Sequence, residues 1–537
     1  MEKKIVIIYV ALLCFVSAVI LRLSTIIQGN TLAQAATVQS SYALTVGESR
    51  GTIYDRNLKP LVNRKSYNVL SVVPTPSALT ALQKNLPRDE FLQLFPLLES
   101  GKPVLLRPSR AVSGGGIESF QFPVRYSTAQ LAPHIIGYLD GSGEGITGVE
   151  AGYNELLNSY GGRVRTRYYI NAIGMALGEE VAEVSDTRPQ KEGGLVLTLD
   201  RDIQRIAEAA AEPLVRGAVV VIDVKSGEIL AMVSRPDFDP YNVGAALKDS
   251  NSPLFNRALA AYNLGSIFKL TVAAAALEQG FTPAYTYVCP GYYQLGEQRY
   301  HCHQRAGHWE LAMERALEQS CNPYFINLGQ QLGAKRICTM AAKMGFGEPA
   351  KLAEGIASVG GNLPAAEDVS LGELANLSFG QGSLMATPVQ VAHMTAIIAG
   401  GGSCPPPSLY RGTTVDGSVV TTQDAPSAPR VISENTAKTL QQLMVQVVEK
   451  GSGRRAQSGY GGAGGKTSSA QTGSFKNGIE VVHGWFTGFY PAEEPQYAIT
   501  VLEEGGGDGG QLPAEIFAQI CRETALQNDP FLRRMTK

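Results

Sequence analysis

The sequence predicts an α/β protein of the α+β type, in which an antiparallel sheet is covered by helices and carries a helical subdomain. Two apolar runs flank Lys225-Ser226-Gly227 at 219–233, a pattern typical of a β-hairpin. Residues 486–505 show the same pattern, and helices rich in Ala, Leu and Gln are predicted between the two hairpins. Strands at both ends of a helical region favour this architecture. A mostly β N-terminal region and a single transmembrane helix are predicted to precede it.

The composition is that of a globular protein. At about 150 residues per domain, 537 residues suggest roughly three or four units. Apolar residues make up 44% of the chain and charged residues 18%, which is enough to bury a large core. A formal net charge of −2 gives no basic field, so nucleic-acid binding is not expected. The seven cysteines form no C-x-x-C pair, which disfavours zinc ribbons, thioredoxin-like chemistry and iron–sulfur sites.

The N-terminus carries an apolar segment. Lys3 and Lys4 precede an apolar run at 5–21, which Arg22 closes. As a helix this run spans roughly 25 Å, and the basic residues before it predict a cytoplasmic N-terminus with the rest of the chain outside. Residues 33–35 (Ala-Gln-Ala) resemble a signal-peptidase site. The apolar run exceeds the usual 7–15 residues of a signal peptide, so an uncleaved anchor is favoured.

Ser266-Ile267-Phe268-Lys269 is the first candidate for chemistry. Gly265 precedes it, and the helical pattern that it begins stops at Gly280. Ser266 is therefore predicted at a helix N-terminus, with Lys269 one turn later on the same face. A serine becomes a nucleophile when a base takes its proton, and a lysine of depressed pKa can be that base. S-x-x-K alone is a weak signal, since it arises by chance in a chain of this length.

Two further motifs follow in order. Ser320-Cys321-Asn322 places a hydroxyl and an amide two residues apart between two predicted helices, where they can pass a proton and hold a substrate amide. Lys466-Thr467-Ser468 follows a glycine-rich loop and opens an extended segment, where a cation and a hydroxyl can bind a carboxylate. S-x-x-K, S-x-N and K-T-(small) in this order are typical of serine β-lactamases and penicillin-binding proteins.

With these motifs the sequence resembles the class B penicillin-binding proteins, the D,D-transpeptidases of bacterial cell-wall synthesis. The resemblance also includes RGTIYDRN at 50–57, TLDRDIQ at 198–204, SFGQGSLMATPVQVA at 378–392 and HGWFTGFYP at 483–491. It implies a penicillin-binding transpeptidase domain with the fold of the serine β-lactamases. The residues before 190 are too few for the glycosyltransferase domain of class A members, so none is expected.

The resemblance and a polar stretch near residue 186 divide the chain into five parts. We expect a cytoplasmic tip and transmembrane anchor at 1–28, a linker at 29–45, a pedestal domain at 46–188, the transpeptidase domain at 189–525 and a tail at 526–537. The transpeptidase domain would lie outside the cytoplasm.

The catalytic roles implied by the resemblance concern five residues. Ser266 would attack the penultimate D-Ala carbonyl of a D-Ala-D-Ala stem peptide, and the same serine would be acylated by β-lactams. Lys269 would act as base, its pKa lowered by Lys466 and by exclusion of water. Ser320 would relay a proton to the leaving amine, and Asn322 would hold the peptide. No metal or organic cofactor is expected.

Binding of the substrate is implied for the third motif. Lys466 and Thr467 would bind the terminal carboxylate, and the backbone N–H groups of Ser266 and Ser469 would form the oxyanion hole. Ser468 stands where the family usually has glycine, and Leu264 where it usually has proline. Because a side chain at 468 can crowd the nucleophile, a catalytically weakened scaffold or β-lactam sensor is the alternative function.

Partners and related activities follow from the same resemblance. A SEDS-family glycosyltransferase and other wall-synthesis proteins are expected partners. A β-lactamase or a D,D-carboxypeptidase shares the chemistry, but β-lactamases are about half this length. Cys289, Cys302, His301, His303 and His308 lie within 20 residues of one another. A Cys289–Cys302 disulfide is favoured there over free thiols, and a zinc site is the third alternative.

Overall fold

The computed structural model describes residues 2–28, 41–178, 181, 183–422, 427–507, 509–529 and 532. These form two compact units, and neither is continuous in sequence. The first consists of residues 1–50, 63–125 and 158–190, and the second of residues 51–62, 126–157 and 191–537. The last crossing between the units lies between residues 190 and 191. The segments 51–62 and 126–157 belong with the C-terminal residues.

The N-terminal apolar run lies in the helix Glu2–Gln28. Within the described part of the chain, Lys3–Ile26 is the one segment long and apolar enough to cross a membrane, which suggests a membrane anchor. Residues 29–40 of the predicted linker, with the Ala-Gln-Ala site, lie outside the described residues, as does most of the predicted tail. The linker prediction is wrong for 41–45, because these residues belong to the strand Ser41–Ser49 and pair with Gly162–Tyr169.

The first unit is mostly β beyond its apolar helix, as predicted. It contains two three-stranded antiparallel sheets, and Leu70, Val72 and Leu82 are among the residues of its larger core. Its strands are Ser41–Ser49, Lys65–Val72, Val104–Leu106, Ile117–Val124, Gly162–Tyr169 and Glu183–Asp186. Its other helices are Pro76–Asn85 and Arg88–Leu98.

The second unit is built on a five-stranded antiparallel sheet. Its strands are β1 (Gly217–Asp223), β2 (Ile229–Arg235), β3 (Gly464–Lys476), β4 (Ile479–Tyr490) and β5 (Tyr497–Glu503). They are ordered β2-β1-β5-β4-β3, so the strands from the two ends of the domain meet where β1 pairs with β5. Both predicted hairpins are therefore confirmed. Strand β3, which begins at Gly464, forms one edge of the sheet.

Helices cover both faces of this sheet. Alternate residues of β1 enter two separate cores, Val219 and Val221 on one face and Val220 and Ile222 on the other. The labelled helices are α1 (Lys269–Glu278), α2 (Asn322–Leu332), α3 (Glu434–Glu449) and α4 (Gln511–Asn528). The others in this unit are Pro133–Ile136, Gly148–Gly152, Arg201–Ala210, Val243–Ala246, Met313–Glu318, Ala334–Lys343, Leu371–Leu377 and Pro388–Ala399, and the helix Asn154–Ser159 begins in it.

Short strands complete the unit. Thr52–Tyr54, Gly194–Leu197, Tyr410–Thr414 and Thr421–Thr422 form a four-stranded sheet. Two-stranded pairs are formed by Tyr262–Asn263 with Met385–Ala386, Thr286–Cys289 with Trp309–Ala312, Tyr292–Leu295 with Gln298–His301, and Lys351–Ala353 with Ile356–Ala357. Asp200 caps Arg201–Ala210 by accepting from the N–H groups of Asp202 and Ile203.

Candidate functional site

Ser266 lies in a short 3₁₀ turn, Gly265–Phe268, that leads directly into helix α1. Gly265 has φ +59°, a left-handed conformation that glycine adopts without strain, and its N–H donates to the carbonyl of Gly380 at 2.8 Å. A Cβ on Gly265 would lie 2.5 Å from the Ser468 Oγ. Close packing against strand β3 therefore requires glycine immediately before the nucleophile candidate.

Lys269, the first residue of α1, is fully buried. Its Nζ donates to the Ser320 carbonyl at 2.7 Å and to the Asn322 Oδ1 at 2.6 Å, and it lies 3.1 Å from the Ser320 Oγ. The first two motifs, more than fifty residues apart in sequence, thus meet through one amine. The Ser266 hydroxyl forms no hydrogen bond in the described part of the chain, so Lys269 does not contact it directly here.

Ser320 is held in an uncommon backbone conformation. It has φ +51° in the short connection between Met313–Glu318 and α2. Its N–H donates to the Leu317 carbonyl at 3.2 Å, and the N–H of Cys321 donates to the Ala316 carbonyl at 2.9 Å. Left-handed non-glycine residues cost free energy and cluster at functional sites. Here the conformation directs both the carbonyl and the hydroxyl of Ser320 at Lys269.

Lys466 is the second buried amine of the site. It lies near the start of β3, and its Nζ is 3.2 Å from the Ser320 Oγ and donates to the Thr467 carbonyl at 3.0 Å. The Ser320 hydroxyl therefore lies between two lysines. A hydroxyl can accept from a charged amine and donate its own proton to a neutral one, so this arrangement can pass a proton in either direction.

Because Lys269 and Lys466 are buried, their amines can lose the proton near neutral pH. Removal from water lowers the pKa of Lys269 to about 7, and burial together with the charge of Lys269 lowers the pKa of Lys466 well below its ordinary value. The sequence had attributed the Lys269 shift partly to Lys466. In the structure burial is the main cause, and the two buried amines also repel each other, which adds to the lowering of the Lys466 pKa.

The three other residues singled out on β3 have different surroundings. Thr467 donates from Oγ1 to the Ser452 Oγ at 2.9 Å. Ser468 is buried, and its hydroxyl donates to the Leu264 carbonyl at 2.7 Å. Ser469 is exposed. Sequence reasoning missed Ser452, which lies outside all three motifs; its only sequence signal is a position between two glycines after a predicted helix.

A cluster of thiols adjoins the second motif. Cys289, Cys302, Cys321 and His308 place their ligand atoms within 4.8 Å of one another, and the three cysteines are buried. The predicted Cys289–Cys302 disulfide is wrong, because both thiols are free. A hydrogen bond between Cys302 and Cys321 lowers the pKa of Cys302 and raises that of Cys321.

Three thiols and one imidazole match the donor set of a structural zinc site. The disulfide was favoured from the sequence because the spacing matches no common zinc finger and a domain outside the cytoplasm favours disulfides. Cys321, the third thiol, is distant in sequence from Cys289 and Cys302 and was not part of that prediction. The cluster can hold a tetrahedral metal ion, and Cys321 would attach that ion to the backbone between Ser320 and Asn322.

Comparisons with known proteins agree with this arrangement. The family model of the penicillin binding protein transpeptidase domain matches residues 217–522, more than half of the chain. Stage V sporulation protein D of Bacillus subtilis is 28% identical over 542 residues, covering 93% of this chain and 81% of that protein. The peptidoglycan D,D-transpeptidase MrdA of Acinetobacter baumannii is 30% identical over 447 residues, covering 73% of this chain and 65% of that protein.

Solved structures show the same fold. Penicillin binding protein 3 of Mycobacterium tuberculosis, complexed with aztreonam, aligns with a TM-score of 0.65 at 23% identity. The alignment covers 91% of this chain and 97% of that one. The family model and these relatives show that this chain belongs to the penicillin-binding protein transpeptidases, among the class B members.

Proposed function

We propose that this protein is a membrane-anchored D,D-transpeptidase that cross-links peptidoglycan stem peptides through an acyl-enzyme on Ser266. The observation that carries the proposal is the position of the Ser320 hydroxyl between Lys269 and Lys466, at 3.1 Å and 3.2 Å. It joins all three motifs into one proton-transfer site beside the turn that carries Ser266. Relatives named as peptidoglycan D,D-transpeptidases support the reaction class.

Acylation begins with the neutral form of Lys269. The Ser266 Oγ attacks the carbonyl of the penultimate D-Ala, and its proton passes to the Lys269 amine. The C–N bond to the terminal D-Ala then breaks, and its nitrogen receives a proton through the Ser320 hydroxyl. An ester on Ser266 and free D-Ala result. Because Lys269 already contacts Ser320, the proton need not leave the buried site.

Stabilisation of the oxyanion is assigned to two backbone N–H groups, those of Ser266 and Ser469. Ser266 lies at the N-terminal end of the helical segment 265–278, where N–H groups are not used within the helix. Removing one such donor in other enzymes costs about 10²–10³ in rate. Asn322 would donate from its side-chain nitrogen to the peptide, since its Oδ1 is already occupied by Lys269.

Deacylation completes the transfer. An amine of a neighbouring stem peptide attacks the ester carbonyl, loses a proton to the Lys269–Ser320 pair and releases the Ser266 hydroxyl. The products are a new peptide bond between two strands and the free enzyme. β-Lactams would acylate the same serine by opening of the lactam ring. Their nitrogen takes up the proton but stays attached to the acyl group, so no leaving group departs to make room for the acceptor amine.

The N-terminal helix determines the membrane topology that we propose. The helix Lys3–Ile26 would cross the membrane with Lys3 and Lys4 in the cytoplasm and the transpeptidase domain outside. Glycan polymerisation would come from a separate protein, for which a SEDS-family glycosyltransferase is the proposed partner.

The alternative of an inactive scaffold rested on crowding by Ser468. The side chain is buried and its hydroxyl is bound to Leu264, which supports accommodation of the serine within the fold. This favours a working enzyme over a degenerate one.

Covalent labelling tests the proposal. The full-length protein in detergent is incubated with a fluorescent penicillin, alongside Ser266→Ala and the control Ser250→Ala, whose serine lies exposed in a turn. We expect a denaturation-resistant label in the wild type and the control, and none in Ser266→Ala. Turnover of a D-Ala-D-Ala peptide with an acceptor amine then tests the transfer. A folded wild type that takes no label would contradict the enzyme reading and favour the scaffold.

A further inference from the structure

A cavity of about 600 Å³ opens beside the hydroxyls of Thr467 and Ser469 on strand β3. Arg454 and Arg455 line it, and so does Gly510 at the start of α4. Thr467 and Ser469 are two residues apart on the strand, so their side chains project to the same side. The cavity therefore lies where a peptide group held by these two hydroxyls would extend.

Two arginines line the cavity, and both side chains are exposed. Arg455 is already neutralised by an ion pair with Glu515, whereas the Arg454 side chain has no ion pair or hydrogen bond to any described residue. Helix α4 begins at the cavity wall, directly after Gly510. The positive end of an 18-residue helix and an unpaired guanidinium thus face one space.

Lys466, the buried cation of strand β3, cannot serve this space well. The Lys466 amine is fully buried and directed at the Ser320 hydroxyl and the Thr467 carbonyl. Its lowered pKa also reduces the fraction that is charged. A carboxylate bound by the two hydroxyls alone would gain no hydrogen bond from a cationic donor, which is the stronger kind. An arginine supplies a permanent charge and a planar fork of donors suited to a carboxylate.

We propose that Arg454 is a specificity-determining residue that neutralises the free C-terminal carboxylate of the donor peptide, held in this cavity by the hydroxyls of Thr467 and Ser469. The inference rests on the proposed function and deepens it by naming the cation that makes the enzyme select peptides with an unblocked terminus. The turn Arg454–Ala456 positions this side chain, because Ala456 is buried and the Gly453 N–H is bound to Val447 at 3.0 Å.

The test compares a ligand that has the carboxylate with one that lacks the charge. Second-order acylation constants are measured for the full-length protein in detergent with benzylpenicillin and with its methyl ester. We expect Arg454→Gln to slow acylation by benzylpenicillin about 10- to 100-fold, because a charge-assisted hydrogen bond is lost. Acylation by the methyl ester should slow less than about 3-fold. Arg454→Lys should recover part of the loss.

Arg430→Gln is the control, since Arg430 is an exposed arginine paired with Glu434 four residues away, outside this cavity. It should leave both constants unchanged, and all variants should melt within a few degrees of the wild type. An equal loss for acid and ester in Arg454→Gln would give Arg454 a merely structural role and overturn the inference. The inference would also be overturned if Arg454→Gln preferred benzylpenicillin over its methyl ester by the same factor as the wild type. If the wild type is acylated by neither compound, the proposed function itself fails.

Discussion

The hydroxyl of Ser468 donates a 2.7 Å hydrogen bond to the carbonyl oxygen of Leu264, two residues before the candidate nucleophile. These are the two positions at which the chain departs from the motifs that it otherwise resembles, and they contact each other. Both side chains are buried. The bond ties strand β3 to the backbone that leads into the Ser266 turn, so the serine at 468 is integrated into the fold.

Ser468 is therefore expected to contribute to stability. Ser468→Ala leaves the Leu264 carbonyl unpaired in a buried position, and we expect a loss of about 1–3 kcal/mol in the free energy of unfolding. Ser468→Gly should lose at least as much. Thermal unfolding and the rate of penicillin labelling are measured together on the full-length protein. A large gain in the labelling rate of Ser468→Gly would instead show that the serine had weakened the site.

Gly265 should tolerate no side chain. In Gly265→Ala the Cβ would meet the Ser468 Oγ at 2.5 Å, and the left-handed conformation, φ +59°, adds about 1–3 kcal/mol of strain. We expect penicillin labelling to be lost or strongly reduced. Gly280→Ala is the matched control, because Gly280 also has a positive φ, +88°, but open space around its Cβ. Gly280→Ala should lower stability yet retain labelling. An equal loss of labelling in Gly280→Ala and Gly265→Ala would refute the role of the close contact between position 265 and Ser468.

Acylation should depend on pH through Lys269. The amine must be neutral to accept the Ser266 proton, and burial lowers its pKa to about 7. The second-order acylation constant should therefore rise about tenfold per pH unit below 7 and level off above it. Profiles from pH 5.5 to 8.5 are measured with the folded fraction monitored at each pH. A rate independent of pH over this range would exclude Lys269 as the base.

The Cys289, Cys302, His308 and Cys321 cluster should bind zinc. We expect about one zinc ion per chain in protein prepared with the metal, and its loss in Cys302→Ser. Because Cys321 lies between Ser320 and Asn322, chelation should also slow penicillin acylation. Cys338→Ser is the control, a buried cysteine outside the cluster. Reactive thiols with no bound metal would contradict the zinc prediction, and a Cys289–Cys302 disulfide found by mass spectrometry would contradict the geometry as well.

Local features of this protein were determined by its sequence. The two hairpins, the Asp200 cap and the apolar N-terminal helix follow from side-chain periodicity and from residues a few positions apart. The motifs that carry the family resemblance are local as well. Such features are predictable because hydrogen bonds and apolar contacts between near neighbours in the chain decide them.

Only the tertiary structure decided how these parts meet. Lys269 contacts Ser320, which is 51 residues away in sequence, and the hydroxyl of Ser468 is bound to a carbonyl 204 residues away. Cys321, the middle residue of the second motif, is also a member of the thiol cluster. Likewise, each of the two compact units is built from three separate stretches of the chain. No sequence spacing encodes these contacts, because burial in a common core brings together groups from separate elements, and that same burial lowers the pKa of Lys269.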